Sequence, residues 1–154
     1  MHHCQKWNGS FFEPTTLRHL GLRIQLGHGT NSHCRNPQTA RGNGFVVIHT
    51  NGIHVVSLDF CACETAPSLI EQLLRSRLFP CRSKSPRSAA TFQVLRNFQL
   101  ISFESKITAF EFYNALSRLT SNAVSPPPVS ARSNHVYNSC LNLVGFIQVV
   151  PSNR

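Results

Sequence analysis

The sequence predicts an α+β domain: a central β-hairpin over about 45–60, helices over about 89–102 and 105–119, and a disordered or irregular C-terminal tail. Three observations predict it. The stretch FVVIHTNGIHVVSLDF is rich in β-branched residues and is split by Asn51-Gly52, a pair suited to the positive φ angles of a two-residue hairpin turn. Downstream, Phe92, Leu95, Phe98 and Leu100 recur nearer to a helical than a strand spacing, and Ile107, Phe110, Tyr113 or Phe112, Leu116 and Leu119 form an apolar stripe. After Thr120 the composition changes: Ser125-Pro126-Pro127-Pro128 cannot continue a helix, and residues 121–154 carry no acid.

The elements follow in order. Pro14-Thr15-Thr16-Leu17 is expected to open one or two helical turns that Gly21 stops. Arg23 to Leu26 alternates, with Ile24 and Leu26 on one side, as a short strand does. Gly27 to Gly44 reads as a long loop holding His28, His33 and Cys34; a loop of this length in a compact domain needs an anchor. The hairpin follows and ends on Cys61-Ala62-Cys63. Ser68 to Phe79 leans towards a helix, with Leu69, Ile70, Leu73 and Leu74 on one face, and a strand ending at Pro80 is the alternative. Pro80 to Pro86 is a basic linker, and Ser105 is placed to cap the last helix. The proline run then leads to a strand-like apolar run, Leu141 to Val150.

A chain of 154 residues with 41% hydrophobic content fits one domain with a real core. Charged residues make up only 14%, where about 25% is usual. The surface is therefore rich in uncharged polar groups or is covered by a partner. Lys and Arg number 15 against 6 Asp and Glu, a net charge of +9. From Gln72 to Phe103 there is no acid, while Arg75, Arg77, Arg82, Lys84, Arg87 and Arg96 all fall there. Arginine forks two hydrogen bonds onto a phosphate, so Arg75, Arg77, Arg82, Lys84 and Arg87 are the expected contacts to nucleic acid. The plainer alternative is a basic surface with no dedicated ligand. No apolar run approaches the ~20 residues of a membrane helix, and the first ten residues lack the apolar segment of a signal peptide. The expectation is an intracellular protein without membrane contact. In that setting six Cys and eight His read more naturally as metal ligands than as a disulfide framework.

His28, Cys34, Cys61 and Cys63 are the four groups whose type and placement suit one zinc ion, which takes about four N or S ligands in a tetrahedron. Joined, they pin the long loop to the hairpin. His54, on the strand leading to Cys61, is a fallback ligand. The spacing also allows the alternative that the thiols are small buried hydrophobes, because C-x-C is tighter than the usual ligand pair. His49 and His54 also read as half-buried strand residues, and Cys81 and Cys140 as incidental. Enzyme signatures are absent: there is no P-loop, G-x-S-x-G or H-E-x-x-H, and Asp59 is the only aspartate. The chain is expected not to be an enzyme and to have no small-molecule substrate.

The strings WNGSFFEPTTLRHLGLRIQLGH, Cys34-Arg35-Asn36-Pro37, FVVIHTNGIHVVSLDFCAC, QLLRSRLFP, TFQVLRNF and SKITAFEFYNALSRLTSN occur in this order. Together they resemble the CxC2-like cysteine-cluster domain associated with KDZ transposases of fungal mobile elements. The resemblance implies a zinc-chelating module that precedes a catalytic domain and makes DNA or protein contacts in a transposition complex. It implies that His28, Cys34, Cys61, Cys63 and His54 stand at the family's recurring Cys/His positions. It also divides the chain: an N-terminal remnant (1–6), the cysteine-cluster domain (7–122), and a Pro/Ser linker with an unrelated tail (123–154). Before the tryptophan, where the family commonly has a further Cys pair, only Cys4 stands, with His2 and His3. The family's FPAT string is here Phe79-Pro80-Cys81-Arg82. The expectation is a truncated, non-catalytic, zinc-binding module that contacts DNA and is nuclear if functional. The alternatives are a module that docks to transposase or other protein partners, or a degenerate fragment.

Overall fold

A computed structural model describes residues 5–29, 32–42 and 44–120. A small hairpin comes first. Strands β1 (Gln5–Trp7) and β2 (Phe12–Pro14) pair with each other, and the rings of Trp7 and Phe12 meet across them at a tilt of 57°, centroids 5.0 Å apart. The main sheet comprises β3 (Arg23–Gln25), β4 (Pro37–Thr39), β5 (Phe45–His49), β6 (Gly52–Cys61), β7 (Leu78–Pro80) and β8 (Ser88–Thr91). Its order is β3-β6-β5-β8-β7, and β4 also pairs with β6. Among the described residues, three helices accompany the sheet: α1 (Leu69–Arg75), α2 (Phe92–Ser105) and α3 (Ala109–Thr120).

Strand β6 organises the sheet. Its first half pairs antiparallel with β5. Its second half lies between parallel β3 and antiparallel β4. Successive peptide groups of a strand point to opposite edges, and the odd-numbered residues of β6 face the β3 side. Ile53 N–H donates to Thr120 Oγ1, Val55 C=O accepts from Arg18 N–H, Ser57 N–H donates to Leu22 C=O, and Asp59 C=O accepts from Leu26 N–H. One edge is thus satisfied in turn by a helix end, a turn and a strand. The even-numbered residues face β5 and then β4, as in the bond from Ala40 N–H to Leu58 C=O at 2.9 Å.

The same period of two sorts the core. Phe45, Val56, Leu58, Phe60 and Ala89 pack with Leu73 of α1. Ile48 and Ala90 pack with Val94 and Leu95 of α2 and with Phe112 and Leu116 of α3. Alternate residues of β5 and β8 therefore serve opposite faces, with α1 on one and α2 and α3 on the other. Phe45 is fully buried, and Phe60 meets it edge-on at 6.4 Å.

The mixed α+β architecture agrees with the sequence, and several boundaries are corrected. Register pairs His49 with Gly52, so Thr50 and Asn51 form the hairpin connection, not Asn51-Gly52. Of Thr50, Asn51 and Gly52, the glycine alone takes a positive φ, 139°, and a Cβ there would lie 2.6 Å from Thr120 Oγ1. The close approach of α3 is what this glycine permits. Residues 16–22 make backbone turns without becoming a helix. The 27–44 loop contains β4. Residues 88–91 form a strand, and α2 begins only at Phe92, where Thr91 Oγ1 caps Val94 N–H. A strand buried on both faces and built from alanines shows no alternation to read. The 68–80 segment is divided between the two readings, first α1 and then β7. Ser105 ends α2 and Lys106 closes it in the left-handed region, with φ 50°. Thr108 is the true cap of α3: its Oγ1 accepts from Glu111 N–H, while Glu111 Oε2 accepts from Thr108 N–H. The Thr108 N–H first, and then the Thr108 hydroxyl, which also donates to Oε2 at 2.8 Å, hold the Glu111 carboxyl below its ordinary value. Cys81 is a buried core residue held in a disulfide, not an incidental thiol. The proline-rich linker and the 141–150 run lie outside the described residues.

Phe45→Ala removes a fully buried ring at the junction of β5, β6 and α1. The expected loss of unfolding free energy is about 3–5 kcal/mol, read from urea denaturation.

Candidate metal centre

The site forms where β3 stops. Leu26 N–H makes the last backbone bond to β6, at 2.8 Å to Asp59 C=O. Gly27 then takes φ 83° and passes directly over Cys61; a Cβ at Gly27 would lie 2.5 Å from Cys61 Cβ. No other residue type fits that crossing, and it brings His28 onto the end of β6. His28 Nε2 lies 3.2 Å from Cys61 Sγ and 3.8 Å from Cys63 Sγ.

Cys34 arrives from the far end of the same loop, its Sγ 3.7 Å from Cys63 Sγ. Asn36 fixes that arrival. Its C=O accepts from Ala62 N–H at 3.0 Å, and its Nδ2 donates to Ala62 C=O at 2.9 Å. On the other side of the turn, Gln72 of α1 engages Cys61. Its Oε1 accepts from Cys61 N–H at 2.8 Å, and its Nε2 donates to Cys61 C=O at 2.9 Å. The Cys63 N–H points back at Cys61 Sγ at 3.4 Å, which shows how a single intervening residue turns both sulfurs to one side.

The four ligand atoms of His28, Cys34, Cys61 and Cys63 all lie within 4.8 Å of one another. A tetrahedral ion with bonds of about 2.3 Å to sulfur and 2.0–2.1 Å to nitrogen sets its ligand atoms roughly 3.5–3.8 Å apart. The donor set and its spacing fit such an ion, and the cluster can hold a metal. The two thiols of the turn differ in acidity. Hydrogen bonds from Cys61, His28 and Cys34 lower Cys63 to about 7, against the opposing effect of burial. At Cys61 the Cys63 N–H is the largest influence and lowers it, but burial and the neighbouring thiols of Cys63 and Cys34 together leave it raised. A bound cation favours the thiolate form of both.

His54 is not brought to this cluster. Its Nε2 bonds Asn51 Oδ1 at 2.9 Å beside the hairpin turn, seven residues and roughly 20 Å of extended strand from Cys61. Burial first, and the nearby His49 second, push its pKa below the ordinary 6.5. His49 bonds Thr91 Oγ1 at 3.0 Å. Asp59 is buried and paired with exposed Arg23 at 3.1 Å. Of the basic residues, Arg75 is exposed but pairs with Glu71 at 2.6 Å. Arg77 lies exposed between α1 and β7, and Arg82, Lys84 and Arg87 lie exposed on the loop from β7 to β8. Gly27, Asn36 and Gln72 are supports that sequence reasoning missed. The one available signal was Gln72, a polar residue on the same helical face as Leu69 and Leu73.

A small α+β domain with three cysteines and a histidine converging at the end of a strand is a cysteine-cluster domain. Residues 17–124 match the family model of the CxC2-like cysteine cluster associated with KDZ transposases, so this chain belongs to that family. No curated protein and no solved structure matches it. Among the described residues, no helix is long and apolar enough to cross a membrane.

Two outcomes follow from this geometry. Gly27→Ala destabilises the fold by more than about 1 kcal/mol in thermal denaturation, because alanine meets both a positive φ and the Cys61 side chain. His54 is lowered on folding, so it favours the folded state fully above 6.5, and this contribution is lost as pH falls through the depressed value. His54→Gln therefore flattens the fall in melting temperature between neutral pH and about pH 5 relative to the parent chain.

Proposed function

We propose that this chain is a zinc-stapled, non-catalytic module of a KDZ-type transposase that contacts DNA through its basic loop. The closed ligand set carries the reading. Three sulfurs and one nitrogen, all within 4.8 Å, supply a complete tetrahedron and leave no position for a substrate. That is the pattern of a structural zinc site; a catalytic site keeps one position open. Thiolate-rich donors also favour zinc over magnesium or calcium.

The exposed Arg77, Arg82, Lys84 and Arg87 support phosphate contact, and no acid lies between Gln72 and Phe103 to oppose it. Arg75 contributes less, because Glu71 holds it. A module that works on chromosomal DNA acts in the nucleus. Docking to a transposase or other protein is a second reading, favoured by the exposed apolar side chains Leu100, Phe103 and Phe110 on α2 and α3.

The metal reading is tested by purifying the chain with its thiols reduced and measuring zinc by mass spectrometry of the metal. The expected result is one zinc per chain, lost in Cys61→Ser; a folded chain without zinc contradicts it. DNA contact is tested by the salt dependence of binding. Four phosphate contacts give a slope of about −3.6 in log Kobs against log salt, and Arg82→Gln, Lys84→Gln and Arg87→Gln together reduce it to about −1. A salt-independent curve contradicts phosphate contact. Concentration-dependent self-association or capture by a purified transposase, without DNA binding, supports the second reading.

A further inference from the structure

We infer that Gln72 is the positioning residue for Cys61 and sets the affinity with which the cluster holds its metal; this rests on the metal reading above. The reason lies in the outer edge of β6. At Val55, Ser57 and Asp59 the outward peptide groups find backbone partners in Arg18, Leu22 and Leu26. At Cys61 the neighbouring strand has ended, and the next outward peptide groups are buried with no strand beside them.

The Gln72 side chain takes the place of the missing strand. A carboxamide offers the same donor and acceptor as a peptide unit. Here the oxygen accepts from Cys61 N–H at 2.8 Å and the nitrogen donates to Cys61 C=O at 2.9 Å. The second hydrogen of the nitrogen goes to Pro67 C=O at 2.8 Å, in the turn that enters α1. Gln72 is 1% exposed, so water does not compete for these bonds. Its bonds go to the backbone of Cys61 and not to the sulfur, so it acts on the metal through the ligand. They fix the residue that places one sulfur 3.2 Å from His28 Nε2 and accepts the Cys63 N–H at 3.4 Å. Groups that orient a ligand in this way typically change metal affinity 10–100-fold when removed.

The test uses the full chain and zinc, with affinity read by competition against a chromogenic chelator and cobalt substitution as a second, spectroscopic readout. Gln72→Met keeps the length and apolar bulk of the side chain and removes its donors and acceptor. The expected result is one zinc bound about 10–100-fold more weakly, with shifted thiolate-to-cobalt bands. Val94→Ala, on the buried face of α2 where it packs with Phe112 and Leu116 of α3, is the control for lost stability; its expected result is a lower melting temperature with parent affinity. If Gln72→Met is unfolded without metal, zinc titration of its recovered circular dichroism gives the affinity instead. Parent affinity and an unchanged cobalt spectrum in Gln72→Met overturn the proposal while the parent chain's zinc upholds the metal reading. An equal loss of affinity in Val94→Ala also overturns it, because stability alone then explains the effect. A folded parent chain that binds no zinc or cobalt overturns the metal reading itself.

Discussion

Strand β6 outlasts the strand beside it, and the site follows from that mismatch. β3 stops at Gln25, while β6 runs on to Cys61. A buried peptide group without a partner costs about 1–3 kcal/mol, so the end of β6 cannot stand bare. Gln72 reaches in from α1 to satisfy it, and Asn36 of the loop bonds the exposed Ala62 that follows. The chain leaving β3 needs a glycine to cross this crowded end, which is where Gly27 stands. Fixing the strand end therefore also fixes the two thiols on it and the histidine that follows the crossing.

Hydrophobic burial does not hold the loop that brings Cys34. From Gly27 to Asn36, before β4 begins, every described residue is exposed except partly buried Cys34. Ordering the described residues of that loop opposes folding by on the order of 10 kcal/mol, at about 1–2 kcal/mol per residue. The two bonds between Asn36 and Ala62 return only about 0.5–1.5 kcal/mol each. Structural zinc ions in small domains contribute about 10–16 kcal/mol, the right size for the remainder. Magnitudes thus favour a metal as the staple over a cluster of neutral thiols. The sheet and its two apolar faces account for the rest of the domain without it.

The parts of this arrangement legible in sequence were those with a local signature. The β-branched run disclosed the hairpin, the apolar stripe disclosed α3, and the unanchored loop beside C-x-C pointed to the four residues that converge. What stayed hidden depended on distant contacts. The need for Gly52 comes from Thr120, 68 positions later in the chain, and the need for Gly27 comes from Cys61. β8 is covered on both faces, so its alanines carry no pattern. His54 stands only seven positions before Cys61 in sequence, but the extended length of β6 keeps it from the cluster.

X-ray absorption of the zinc-loaded chain tests the staple most directly, because it reads the ligand atoms rather than the consequences of losing them. A metal held by His28, Cys34, Cys61 and Cys63 requires three sulfurs at about 2.3 Å and one nitrogen at about 2.0–2.1 Å. A shell dominated by oxygen and nitrogen, or one with fewer than three sulfurs, would contradict it.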